Sequence, residues 1–215
     1  ILQKKPKLLT LIEKDNNLFK FLKFKYQHLK NIEIINADVL EFDFDNNLKN
    51  GTIIFGNLPY NISSQILTSI IRLKKFPPNY SNLIFMFQKE MGERIIGKFN
   101  TSKYGRLSIL TNFKLRVVDK FYVSPNCFIP KPKVDSTVIH FKPCKKLPFK
   151  IKNVKNLEKV TQILFSNKRK MINKNIKKIL DNEKIKSIKG LDLNSRPSDL
   201  KPEKYYEITE LFERV

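Results

Sequence analysis

The tetrapeptide Asn57-Leu58-Pro59-Tyr60 carries the residue types that chemistry on a planar amine requires. An exocyclic amino group conjugated with an aromatic ring, such as that of adenine, is a poor nucleophile because its lone pair is delocalised. Two acceptors that hold its N–H groups draw the nitrogen towards tetrahedral geometry and free that lone pair. The side-chain oxygen of Asn57 and the backbone carbonyl of Leu58 supply such a pair. Pro59 fixes its own φ and biases Leu58 to extended geometry, which aims the carbonyl. Tyr60 offers a face on which a base can stack, an interaction worth roughly 1–3 kcal/mol. Catalysis by this set is positioning and electrostatics and needs no metal and no strongly basic residue. A plain turn at the end of a strand has the same spelling, so support has to come from elsewhere in the chain.

Two acidic residues provide it. Glu13 follows the apolar run Leu8-Leu9-Thr10-Leu11-Ile12, the place where nucleotide-binding α/β folds carry an acid for ribose hydroxyls. Asp38 follows a second run, Ile32 to Ala37, where a carboxylate can accept from an adenine amino group. Either alone reads equally as a helix cap or a solvated charge. Glu13, Asp38 and Asn57 at three successive strand ends form a pattern. No metal is expected: Cys127 and Cys144 lack zinc spacing, and His28 and His140 lie far apart.

The elements that position these residues alternate. Apolar runs at 8–12, 32–37, 52–55 and 83–87 read as strands of a parallel sheet, with Gly56 ending the third. Residues 16–30 read as a helix with Leu18, Phe21, Leu22 and Leu29 inward. Ser63 reads as the cap of a helix carrying Ile66, Leu67, Ile70 and Ile71, and 88–96 reads as another. Segments 113–123 and 134–141 read as an antiparallel edge pair. Their connection holds three prolines, Pro125, Pro130 and Pro132, which exclude a helix. The fold class expected is α/β, with a Rossmann-like sheet and a small helical domain after it.

Lys142-Pro143-Cys144-Lys145-Lys146-Leu147-Pro148 marks the boundary, giving a catalytic domain over 1–145 and a basic helical domain over 146–215. The chain carries 42 Lys+Arg against 20 Asp+Glu, a net +22. Residues 145–190 hold 15 of those cations and 3 of the acids, a net +12. There, Leu164, Phe165, Ile172, Ile176, Ile179 and Leu180 form an apolar stripe, and Lys168, Arg169, Lys170, Lys174, Lys177 and Lys178 crowd the other faces. Charge of that size predicts a polyanionic partner. Only seven of the 42 are Arg, and a Lys/Asn/Ile skew of coding origin gives the same count. No apolar stretch of eighteen residues predicts a transmembrane helix.

Four further segments make a resemblance specific. Asn57 through Ser64, Phe87-Gln88-Lys89-Glu90-Met91, Tyr104-Gly105-Arg106-Leu107-Ser108 and Phe128 through Ser136 resemble, in order, the motifs of the small-subunit ribosomal RNA adenine dimethyltransferases, the KsgA family. Phe165 through Lys170 and Asn194 through Leu200 resemble that family's small helical domain. The resemblance implies a cytoplasmic enzyme that uses S-adenosylmethionine to dimethylate two adjacent adenines in a hairpin loop of small-subunit ribosomal RNA on the assembling subunit. It implies that Glu13 binds the cofactor's ribose and Asp38 its adenine. Asn57 serves the target amine and borders the cofactor. Tyr60 and Phe128 sandwich the flipped base. Separately, the charge of the C-terminal region predicts that Lys168, Arg169, Lys170, Lys174 and Lys178 grip phosphates. The family's first strand and glycine-rich loop have no counterpart in these residues, which hold six glycines and no Gly-x-Gly. The expectation is a chain that begins inside the helix after that loop, and that alone neither folds cooperatively nor binds S-adenosylmethionine measurably. Two alternatives share the site logic or the charge. One is a large-subunit rRNA adenine methyltransferase of the macrolide-resistance type. The other is a non-catalytic RNA-binding assembly factor.

Overall fold

Strand and helix alternate through the first seventy residues as the apolar runs predict. The computed structural model describes residues 1–214. Its elements are β1 (Leu9–Glu13), α1 (Asn16–Tyr26), β2 (Ile32–Asn36), α2 (Phe44–Asn47), β3 (Thr52–Asn57), α3 (Ser63–Ile71), β4 (Tyr80–Gln88), α4 (Lys89–Ile95), α5 (Arg106–Lys114), β5 (Leu115–Val123), β6 (Ser136–Pro143), α6 (Val154–Phe165), α7 (Asn173–Ile176), α8 (Asn182–Ser187) and α9 (Pro202–Glu213). The chain forms two compact units, Ile1–Asn46 and the residues from Asn47 onward.

In the first unit β1 and β2 pair in parallel, Leu9 opposite Ile32 and Glu13 opposite Asn36. Asp15 starts α1 by accepting from the amides of Asn17 and Leu18 at 2.9 and 2.8 Å, an N-cap that satisfies two otherwise orphaned donors. Leu18 and Phe21, expected inward, are 44% and 55% exposed. Two strands about 4.8 Å apart offer a face narrower than the 10–12 Å helix lying on it, so part of the apolar stripe stays uncovered within this unit.

The second unit holds a mixed sheet of order β3-β4-β6-β5. β3 and β4 run parallel, and β6 pairs antiparallel with both β4 and β5. The expected antiparallel pair is therefore present with β5 at the edge. Several boundaries differ from expectation. Gly56 does not end β3: pairing continues to Asn57 opposite Met86. Phe113 belongs to α5, because its side chain is fully buried among the helices rather than alternating along the strand. Ser63 is the first helical residue of α3, and Ile62 holds the cap position without a side-chain bond. The proline-bearing connection contains one short turn of 3₁₀ helix, Pro125–Cys127. Pro125 sits at its start, where a missing N–H costs nothing.

One sheet face is covered by α4 and α5, and Phe85, Phe87, Ile139 and Phe141 are buried there. The helices after residue 146 pack within the same unit. Tyr206 of α9 donates to the Ile109 carbonyl at 2.9 Å, and Tyr104 donates to that of Leu200 at 2.9 Å. Burial drives both phenols well above the usual tyrosine range, so they remain donors. Arg72, after α3, makes a two-pronged ion pair with Glu158 of α6 at 2.5–2.6 Å. Among the described residues no helix is long and apolar enough to cross a membrane.

Candidate functional site

In the first unit, Glu13 is the last residue of β1, and its Oε1 accepts from the Asp15 amide at 2.8 Å. The side chain of Asn36, at the end of β2, donates to the carbonyls of Glu13 at 2.9 Å and Lys14 at 3.3 Å. The turn after β1 is thus tied across to the neighbouring strand. Asp38 lies two residues beyond β2. Its Oδ2 meets Lys14 Nζ at 2.6 Å and its Oδ1 accepts from the Leu40 amide at 2.9 Å. Lys14, first, and the Leu40 amide hold its carboxyl below the usual carboxylate range. Asp38 follows its strand as expected, whereas Glu13 closes β1 itself, because pairing runs on to Glu13 opposite Asn36. An ionised carboxylate oxygen has two lone-pair positions, so both keep capacity to accept from the hydroxyl and amino groups of a nucleoside.

In the second unit, Asn57 closes β3 and is exposed. The side chain of Leu58 is buried, and the absence of a Cβ at Gly56 makes this fit. A methyl there would lie 2.4 Å from Leu58 Cδ2 and 3.0 Å from Phe85 Cδ1. The glycine thus lets Leu58 fold back on the strand. The turn that follows uses the carbonyls of Pro59, which accepts from Ile62 N at 3.1 Å, and Tyr60, which accepts from Ser63 Oγ at 3.2 Å. Among the described residues no donor engages the Leu58 carbonyl. An exposed side-chain amide and an unengaged carbonyl therefore stand one residue apart at the carboxyl end of a strand.

Tyr60 is fixed from far away in sequence. Its hydroxyl is hydrogen-bonded to Ser136 Oγ at 2.9 Å. Ser136 is fully buried at the start of β6 and pairs with Gln88 on one side and Val123 on the other. The residue before it, Asp135, accepts from the Lys89 amide at 2.9 Å and meets Lys89 Nζ at 3.5 Å. Ser136 ends the connection that carries Phe128, a half-buried side chain just after the 3₁₀ turn. One hydrogen bond thus joins the tyrosine loop to the phenylalanine loop. Sequence reasoning placed Ser136 inside a motif and gave it no role. Nothing local signals a partner 76 positions away.

Lys168, Arg169 and Lys170 lie in the turns after α6, Lys174 lies in α7, and Lys178 follows it; all five are exposed. Leu164, Ile172, Ile176 and Leu180 are buried beneath them, with Phe165 and Ile179 half-buried. The expected stripe is real but divided between two helices and a turn.

The sequence matches the family described as "Ribosomal RNA adenine dimethylase" over residues 1–214. It is 44% identical over 214 residues to a "Ribosomal RNA small subunit methyltransferase A" of Pelagibacter ubique, covering 99% of this chain and 80% of that one. A protein of the same name from Malacoplasma penetrans is 39% identical, over 97% and 75% of the two chains. Among solved structures, a dimethyladenosine transferase from Plasmodium falciparum superposes with a TM-score of 0.74 at 22% identity, covering 94% of this chain and 80% of that one. The 23S rRNA methyltransferase ErmE superposes at 0.65 and 21%, over 99% and 85%. At these identities the two structures speak to the fold.

Proposed function

The chain belongs to the ribosomal RNA adenine dimethylase family, and from that premise we propose that it transfers methyl groups from S-adenosylmethionine to the N6 amino groups of two adjacent adenines in a hairpin loop of small-subunit ribosomal RNA. The observation that carries the mechanism is the pair of acceptors after β3, the exposed Asn57 amide and the unengaged Leu58 carbonyl. The cofactor supplies an electrophilic methyl group, so the protein has to present a nucleophile. In the first transfer Asn57 Oδ1 and the Leu58 carbonyl oxygen each accept one N–H of the target amine and localise its lone pair. The nitrogen gains the methyl as the thioether leaves and sheds one proton to solvent. In the second transfer the one remaining N–H is held. Pro59 holds the carbonyl's direction. Tyr60, anchored through Ser136, and Phe128 grip the two faces of the base once it leaves its stack.

Glu13 would hold ribose hydroxyls of the cofactor and Asp38 its adenine. Their fit rests on acceptor chemistry: two carboxylates stand at or just past strand ends, matching the donors an adenosine presents in its ribose hydroxyls and its N6 amino group. Asn57 also borders the cofactor. The division of labour falls near residue 145. The helices of 146–215 hold phosphates through Lys168, Arg169, Lys170, Lys174 and Lys178, and the preceding residues do the chemistry. The partner is small-subunit ribosomal RNA on an assembling subunit in the cytoplasm. This reading is favoured over the large-subunit enzyme because the 44%-identical relative carries the small-subunit name, whereas the likeness to the 23S enzyme is one of fold.

Single-turnover transfer from labelled cofactor to an adenine-bearing RNA hairpin, by protein that carries the family's first strand and glycine-rich loop ahead of these residues, is the test. Asn57→Ala is expected to slow transfer by roughly 10²–10³-fold, the usual cost of removing one transition-state hydrogen-bonding group. RNA affinity should stay near that of the parent. Unchanged transfer by the variant sinks the mechanism and favours a non-catalytic RNA-binding role.

A further inference from the structure

Beside the Tyr60–Ser136 hydrogen bond, the edge of the sheet carries a second aromatic group that the proposed chemistry leaves unused. Tyr122, near the end of β5, pairs across to Thr137, the residue after Ser136. It is 54% exposed. Two lysines from different elements converge on it. Lys89 Nζ, at the start of α4, lies 5.2 Å from the ring centroid, and Lys120 Nζ, two residues back on β5, lies 5.7 Å away. Lys89 also meets Asp135 at 3.5 Å. Both ammonium groups lie over the ring, so a base that stacks there displaces these flexible side chains towards its phosphates. Phe121 is 57% exposed, and Lys131 and Lys133 are exposed on the adjoining connection.

An exposed tyrosine flanked by cations, on an unpaired strand edge, is poorly explained by packing. It matches the combination that holds single-stranded nucleic acid, an aromatic platform for a base with positive charge for the phosphates on either side. Its location adds to the case. β5 runs parallel to β3 and β4, so Tyr122 stands at the same end of the sheet as Asn57. Ser136 and Thr137 point to opposite faces, and β5 and β6 lie about 4.8 Å apart. Tyr60 and Tyr122 therefore flank one rim from its two faces. RNA that sends one base to Tyr60 must carry the adjoining nucleotides across that rim.

We propose that Tyr122, with Lys89 and Lys120, forms a subsite that stacks an unpaired base next to the target adenine and binds its phosphates. The inference rests on the proposed RNA substrate and adds a place where a flanking nucleotide is held. A stacking site of this kind tolerates any base, since all four present a π-face. It therefore selects for unpaired RNA rather than for a sequence.

The experiment measures binding of the adenine-loop hairpin to the protein across a salt series, alongside cofactor titration and single-turnover transfer at saturating RNA. Tyr122→Ala is expected to weaken hairpin binding by roughly 5- to 150-fold, the loss of one base stack. Tyr122→Phe should bind like the parent. Lys89→Gln with Lys120→Gln should reduce the slope of log affinity against log salt by about one to two. Cofactor affinity should hold in all of them, which also shows that the variants fold. Parental binding by Tyr122→Ala, with an unchanged salt slope in the lysine variant, overturns the subsite while leaving the proposed methyl transfer standing. A loss of self-association rather than of RNA affinity also overturns it, making the edge a contact between copies. A parent protein that neither binds nor methylates the hairpin overturns the function and the subsite together.

Discussion

Residues 1–46 bury one large apolar side chain, Phe44, and leave Leu18, Phe21 and Phe24 exposed, Phe24 at 74%. From Asn47 onward, four strands and the helices around them bury Leu67, Ile71, Leu83, Phe87, Phe113, Phe141, Leu164 and Tyr205 almost completely. Both regions carry proposed site residues at strand ends, yet they fix them by different means. Glu13 and Asp38 are oriented by short polar ties: the Asp15 and Leu40 amides, the Asn36 side chain and Lys14. Asn57 and Tyr60 are oriented from the buried core, Asn57 through Leu58 folded over Gly56 and Tyr60 through its long-range hydrogen bond to Ser136, itself buried in the sheet. Local ties hold a carboxylate that has only to accept. Anchorage to the core is needed where two acceptors and a ring must keep a fixed geometry through a reaction.

The largest expected effect separates the two regions by stability. Phe141→Ala removes a fully buried ring and should cost about 3–5 kcal/mol in denaturant unfolding. Phe24→Ala removes an exposed one and should change stability by no more than about 0.5 kcal/mol. A large loss at Phe24 would break the comparison, because it would mean that α1 is covered in solution.

Within the second region, Tyr206→Phe deletes one buried donor to the Ile109 carbonyl. That helical carbonyl has another lone pair, so the cost should be about 1 kcal/mol, read from the same unfolding curves. Ser136→Ala tests whether the hydrogen bond from the core orients Tyr60. Single-turnover transfer should slow by roughly 2- to 13-fold, the worth of one hydrogen bond, with RNA affinity unchanged. Combined with Tyr60→Phe it should produce no further loss, because the two changes remove the same bond. Additive losses would mean that Ser136 acts on something other than Tyr60.

The smallest effect belongs to the first region. Lys14 and the Leu40 amide depress the Asp38 pKa, so the folded state binds its proton less readily than the unfolded chain. The resulting stabilisation is fully present above the ordinary carboxylate value of 3.8 and is lost as pH falls through the depressed one. At this surface it is small and screened by salt. Replacing Lys14 with Met should raise the Asp38 titration towards its ordinary value in a carboxyl-resolved NMR experiment. No movement would leave the Leu40 amide as the sole cause.

Much of this protein is local in origin. Runs of apolar residues place the strands to within three residues, β4 starting at Tyr80 rather than Leu83, because period-two and continuous patterns report which faces of a strand are buried. The strand ends then place Glu13, Asp38 and Asn57, and the order of short motifs carries the family. Charge density alone marks residues 145–190. Tertiary structure decided the rest. It extended β3 through Gly56, since a strand stops where pairing stops and not where a residue type changes. It moved Phe113 into a helix, divided the C-terminal apolar stripe between α6, α7 and the turn joining them, and left half of the apolar face of α1 bare. It also brought Ser136 to Tyr60 and set Lys89 and Lys120 around Tyr122. Those contacts depend on strand order and register, which no local pattern along the chain encodes, because residues 76 positions apart acquire a distance only when the sheet between them is built.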